Sequence, residues 1–192
     1  MKQNWKPGTM IYPLPAVLVS CGDAEHSNFL TVAWTGTVCT NPAMCYISVR
    51  PERYSYDLIK QSMEFTINLT TEAMARATDF AGVRSGRDLD KWKETGLTPA
   101  RGVKVSCPYI EESPLSIECR VREIVRLGSH DMFLAEVLNV LAEESLIDPA
   151  TGRFDLERAG LIAYSHGGYY PLGEKIGGFG WTVKKKSKSI PK

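Results

Sequence analysis

Residues Asn28–Ser55, "NFLTVAWTGTVCTNPAMCYISVRPERYS", decide how the rest of the chain is read. Asn28–Trp34 and Met44–Arg50 carry the β-branched and aromatic residues of strands, and Asn41–Pro42 marks the turn into the second. Between them "TGTVCTNP", Thr35–Pro42, interrupts the pattern with small and hydroxylated residues, and the stretch closes on Arg50, Arg53 and Ser55. A β-barrel corner would account for this, and so would the lining of a site for a flat, phosphorylated molecule.

The second reading has a chemical basis. Ala33, Gly36 and Thr37 are small enough for backbone to approach an aromatic plane that bulky side chains would hold off. Thr35, Thr40, Asn41 and Ser48 offer hydrogen-bonding side chains. Arg50 and Ser55 supply a bidentate cation and a hydroxyl suited to a phosphate monoester. Ser55 also lies near a predicted helix start, where free backbone N–H groups favour an anion.

Outward from this stretch, Leu14–Cys21 is apolar enough for a buried strand, and Cys21–Asn28 has the Gly, Asp, Ser and Asn of a hairpin loop. Arg53–Gln61 has helical spacing, Phe65–Leu69 is a short strand, and Thr70 or Thr71 caps a helix over Glu72–Phe80. Ala81–Leu97 is a glycine-punctuated loop in which Asp88 caps a short helix. Leu115, Ile117, Cys119 and Val121 alternate with polar residues, the period of a half-exposed strand. Ser129–Leu141 is helix-like in composition but fits better as its partner across Gly128–Ser129. Tyr164–Gly173 is a loop-rich return. The expected fold class is mainly β, a barrel with inserted helices.

The 192 residues, 43% hydrophobic and 23% charged, are ordinary for one globular domain over 1–192, with its core at about 10–181. A net charge of +1 gives no long-range field for nucleic acid or membrane. No run reaches the roughly 20 apolar residues of a spanning helix, and Met1–Met10 lacks the apolar core of a signal peptide. Five scattered cysteines without C-x-x-C fit buried thiols in a reducing cytoplasm, and no Cys/His cluster has zinc spacing. Dinucleotide-binding, phosphate-loop and nucleophile-elbow motifs are absent. The lysine-rich tail, 184–192, reads as a solvated terminus rather than a nucleic-acid arm.

The succession from Asn28 to Leu69, "FAGVRSGRDLDKWKETGL" at Phe80–Leu97 and "YSHGGYYPLGEKIGGFG" at Tyr164–Gly180 together resemble the flavin reductase-like, FMN-binding split-barrel family, in particular flavoredoxin-type proteins. The resemblance runs from about Met10 to Trp181. It implies an FMN-dependent oxidoreductase or electron-transfer protein, usually a homodimer with flavin near the interface. It places Ala33, Trp34, Thr35, Gly36, Cys39, Thr40 and Asn41 along the flavin, and Ser48, Val49, Arg50 and Ser55 at the ribityl phosphate. It also assigns Phe80, Ala81, Gly82 and Lys91 to a segment closing over the cofactor. NAD(P)H or a redox protein is the implied electron donor.

Three residues keep two readings. Trp34 is a core aromatic or a shield for the flavin face. Cys39 is a packed thiol or a redox group. His166 is a loop residue, or a donor to the flavin edge or to a nicotinamide dinucleotide substrate. Some flavin reductases carry more histidines in this late block, and here there is one. No catalytic residue is assigned, since hydride passes directly to a flavin on which its donor stacks. A barrel that binds a ligand or another chain without redox activity is the competing function.

Overall fold

The apolar run after Pro13 becomes a strand buried on both faces. The computed structural model describes residues 1–183, and in it β1 (Leu14–Pro15) leads into β2 (Val17–Gly22), every residue of which is buried. Val17, Val19 and Cys21 face one apolar cluster, whereas Leu18 belongs to another. The Asp23 carboxylate accepts from the Glu25 and His26 amides, closing the hairpin to β3 (Ser27–Val32).

After Ala33–Trp34 the chain forms β4 (Thr35–Thr40) and β5 (Ala43–Val49), paired antiparallel with an irregularity between Thr37 and Cys39. The expected interruption at Thr35–Pro42 is therefore mostly strand. Its alternation is hidden because β4 lies at a sheet edge, with Thr37 and Val38 exposed in succession. Helix α1 (Tyr54–Ser62) starts soon after β5, and β6 (Glu64–Leu69) follows.

A 3₁₀ turn at Glu72–Met74 precedes α2 (Ala75–Val83), which runs three residues beyond the expected end at Phe80. Thr70 does not cap it; its hydroxyl donates to the Ala16 carbonyl. Thr71 precedes the turn without a side-chain cap bond. The short α3 (Lys91–Thr95) is capped by Asp90, not Asp88, through the Trp92 and Lys93 amides. The remaining strands are β7 (Pro99–Ala100), β8 (Tyr109–Ile110), β9 (Leu115–Arg126), β10 (Asp131–Ala142), β11 (Ile162–Ser165) and β12 (Gly168–Pro171). The segment expected as a loop-rich return is thus a short hairpin, β11–β12, which pairs with β1. The basic tail, 184–192, lies outside the described residues.

The main sheet has the order β3-β2-β6-β9-β10-β5-β4, antiparallel throughout. Its edge strands are consecutive in sequence, joined only by Ala33–Trp34, and the Ser48 amide donates to the Trp34 carbonyl at 2.9 Å. The sheet therefore curls into a nearly closed barrel. Phe65, Phe133, Ile47 and Ile59 fill it, each wholly removed from water and each contributing about 1.5–3 kcal/mol. On the other face of β2 and β3, Leu18 and Phe29 pack with Met74 and Ala81 of the helical segment and with Ile110. The barrel wall, the start of α1 and the α2–α3 segment meet around one cleft.

Candidate functional site

Two adjoining cavities, of about 540 and 510 Å³, occupy this cleft and share Leu30, Thr31, Arg50, Arg53 and Gly82. The first is cationic. Arg50, Arg53, Arg84, Arg87 and Lys91 line it against the carboxylates of Glu52 and Asp88. Tyr54 and Ser55, the opening residues of α1, also line it, and first-turn amides have no partner within their own helix.

Ser55 is 1% exposed, and its Oγ accepts from Asn28 Nδ2 at 2.7 Å. That bond occupies an acceptor position, so the hydroxyl proton remains to be donated. Asn28 is held in turn by the loop after α2. A Cβ on Gly86 would stand 2.4 Å from Asn28 Oδ1 and 2.9 Å from Tyr54 Cδ1, so only glycine permits this close approach.

Lys91 is 3% exposed. Its Nζ donates to the Phe29 carbonyl at 2.9 Å and to the Ala81 carbonyl at 2.8 Å, leaving one of three N–H donors over. Ala81 lies near the C-terminal end of α2, where a cation is favoured. Burial and the nearby Arg53 push the Lys91 ammonium down to about 8, against a weaker upward pull from Cys21. Among the described residues no carboxylate pairs with it. Two of the four arginines each donate once to a backbone carbonyl: Arg53 to Gly82 O at 3.1 Å and Arg87 to Glu52 O at 3.2 Å. Arg50 makes an exposed pair with Glu52 at 3.4 Å.

The second cavity is walled by aromatic groups. Tyr12, Trp34, His130, Tyr164 and Tyr169 line it with Ala33, Ser48, Val49 and Asp79. Trp34, 37% exposed, packs on His130 with ring centres 4.5 Å apart. Tyr164 meets Tyr12 at 6.2 Å and Tyr169 at 5.6 Å. Burial and the Asp79 carboxylate push the Tyr169 phenol up to about 12, so it is a neutral hydrogen-bonding group at physiological pH.

Of the residues proposed from sequence, Ala33, Trp34, Ser48, Val49, Arg50, Ser55, Ala81, Gly82 and Lys91 are brought together around the cleft. Thr35, Gly36, Cys39, Thr40, Asn41, Phe80 and His166 do not line either cavity. Thr35 donates to the Tyr46 carbonyl at 2.6 Å, and Gly36 sits beside the Tyr46 ring. Cys39, Thr40 and Asn41 continue along β4 into its turn. Phe80 is half-buried on α2. His166 takes a φ of 47° in the β11–β12 turn and packs edge-on against Tyr12 at 5.7 Å, beside Gly167, which does line the cavity.

Asn28, Arg84, Arg87, Tyr12, Asp79, His130 and Tyr164, none of them singled out from the sequence, also line the cleft, as does Tyr169, which from the sequence alone reads as an interface or core aromatic. Arg84 and Arg87 bracket "SG" in "RSGR", a cationic turn that could have been singled out. The others are brought together by tertiary structure alone. Among the described residues no group of three His, Cys, Asp or Glu side chains could hold a metal ion. No helix there is long and apolar enough to cross a membrane.

The fold has known counterparts. The flavoredoxin of Desulfovibrio vulgaris (Miyazaki F) superposes with a TM-score of 0.87 at 30% identity, covering 96% of this chain and 100% of that one. An uncharacterized protein of Archaeoglobus fulgidus is 30% identical over 72% of this chain and 77% of its own length. The NADPH-flavin oxidoreductase of Streptomyces viridifaciens is 26% identical over 66% of each chain. The flavin reductase like domain model matches residues 9–173, and the chain belongs to that family.

Proposed function

We propose that the chain binds FMN across the two cavities and passes electrons through it. The observation that carries this reading is their continuity: a cation-rich chamber with a buried, carboxylate-free ammonium opens across Arg50 and Arg53 into an aromatic-walled one. A phosphate monoester linked by a short polar chain to a flat ring has that distribution of chemistry. The donor set fits the phosphate end, with the Ser55 hydroxyl, the remaining Lys91 N–H, and the Arg50 and Arg53 guanidiniums available to acceptor oxygens. The small side chain of Ala33 and the flat face of Trp34 suit the ring end.

Bound flavin supplies the hydride and single-electron chemistry. The protein's part is to hold its charged end by charge-assisted hydrogen bonds and to wall the ring from water with Trp34, Tyr164 and Tyr169. The electron source is NAD(P)H or a redox protein. The NADPH-flavin oxidoreductase relative supports the first and the flavoredoxin likeness the second. We further propose a cytoplasmic homodimer acting as one flavin reductase-like domain, with Thr35–Asn41, Phe80 and His166 acting outside the cavities of a single chain.

Titration of the purified chain with FMN, read by visible absorption, tests the reading. Binding that weakens at least about tenfold in Arg50→Ala and in Ser55→Ala is expected. NADPH oxidation in the presence of FMN then separates the two electron sources. Turnover points to the reductase, and photoreducible bound flavin without turnover points to the electron carrier.

A further inference from the structure

The aromatic-walled cavity contains a titratable group placed by the β9–β10 hairpin. His130 sits at the hairpin tip, where the Leu127 amide donates to its carbonyl at 3.1 Å and Gly128 supplies a φ of +98°. Its ring lies 4.5 Å from Trp34 at 40°, and its Nδ1 is 3.0 Å from Ser129 Oγ. The imidazole thus braces an indole that walls the cavity and is partly open to solvent.

Its electrostatic surroundings come mainly from the β5–α1 connection. Burial, Arg50 and Arg53 push His130 below the ordinary histidine value, and Glu52 pulls the other way. On its own hairpin the neighbouring Asp131 is occupied by the Tyr56 hydroxyl at 2.6 Å. Arg50 and Arg53 line both cavities, so the groups that would meet a phosphate also set the field at His130. An anion between them compensates their charge and removes what opposes a proton on the imidazole. An imidazolium over an indole adds cation–π attraction to the neutral stack.

Resting on the assignment of the cationic cavity to phosphate, we propose that His130 is a positioning residue: it takes up a solvent proton when that cavity fills and thereby clamps Trp34 as a wall of the flavin-ring cavity. Phosphate binding is thus coupled to the rigidity of the ring site through Arg50, Arg53 and His130.

The test follows the three histidine resonances by NMR against pH in the full chain, with His130→Gln identifying the one of interest. The spectra are taken on flavin-free protein, with saturating riboflavin, and with saturating FMN. Riboflavin carries the ring without the phosphate. His130 is expected to titrate about one unit higher with FMN than with riboflavin. The ratio of FMN affinities, wild type to His130→Gln, should then fall up to about tenfold as pH rises through that interval. The ionisation of the FMN phosphate itself is common to both proteins and cancels in the comparison. FMN bound by its visible spectrum, with His130 titrating as it does with riboflavin, overturns the proposal and leaves the flavin assignment standing. Failure of FMN to bind at all overturns the flavin assignment, and this proposal with it.

Discussion

Asn28 Nδ2 donates to Ser55 Oγ at 2.7 Å, linking the start of the β3 wall to the first turn of α1 with both side chains buried. The bond fixes where the Ser55 hydroxyl stands and leaves its proton free for an acceptor in the cationic cavity. On the proposed assignment of the cationic cavity, Ser55→Ala removes one charge-assisted bond to phosphate and strands the Asn28 amide. FMN affinity should fall about 10- to 100-fold, with riboflavin affinity changing much less. Parallel titrations of the two flavins check this; an equal loss for both would place Ser55 away from the phosphate.

Gly86 brings the loop after α2 against Asn28 of the barrel wall. Gly86→Ala puts a methyl 2.4 Å from Asn28 Oδ1, and Asn28 cannot swing away without releasing Ser55. The variant should remain folded, because the loop is at the surface, yet lose FMN affinity as Ser55→Ala does. Calorimetric titration together with a melting curve separates the two effects. Unaltered affinity would show that the loop relaxes without disturbing Asn28.

Lys91 gives opposite pH trends for binding and for stability. Its folded pKa of about 8 lies below the ordinary 10.5, so between those values the unfolded chain binds more protons than the folded one. Stability of the flavin-free protein should therefore rise with pH across that window by this contribution. Below about 8 both states are protonated and the cost of burying the charge is constant. An anionic ligand needs the charged form, so FMN affinity should fall as pH climbs past about 8. Denaturation midpoints and FMN titrations from pH 7 to 10, each compared with Lys91→Met, check both signs.

Glu118 lies far from this chemistry in role. Fully buried, its carboxylate accepts from the Val103 amide at 2.6 Å, the Lys104 amide at 3.0 Å and Asn139 Nδ2 at 2.9 Å. It pins the 101–107 loop to the barrel. Glu118→Ala strands three donors and should destabilise the fold by about 3 kcal/mol, with Glu118→Gln costing less. Urea unfolding measures both, and a loss below about 1 kcal/mol would mean that water replaces the carboxylate.

The barrel was legible wherever burial imposes a period. The alternation at Leu115–Val121 and the Gly128–Ser129 turn anticipate β9 and β10, which pair from Asp131↔Arg126 to Ala142↔Leu115, but the expected half-exposure fails at Ser116 and Glu118, which are buried beneath the 101–110 segment. The continuous apolar run of β2 anticipates a strand covered on both faces. What stayed hidden has physical causes. β4 is an edge strand with too little buried surface to stamp a pattern on its residues. Asp88 and Asp90 are equivalent as helix caps in composition, and only the fold selects Asp90.

The cleft divides in the same way. Arg50 and Ser55 are close in sequence and chemically suggestive, so they could be named without a structure. Tyr12, His130 and Tyr169 come from three distant segments, and only barrel closure and the β11–β12 hairpin bring them to one wall. Thr35 and Asn41 look alike in chemistry to the cavity residues, but the path of β4 carries them elsewhere.

The most direct test of the account is the visible absorption of the purified chain after incubation with FMN and removal of free ligand. A yellow protein with a flavin band is expected, the band being lost when Arg50 and Ser55 are both changed to alanine while the fold is retained. A colourless wild-type protein, or a double variant that holds FMN as tightly as wild type, would contradict it.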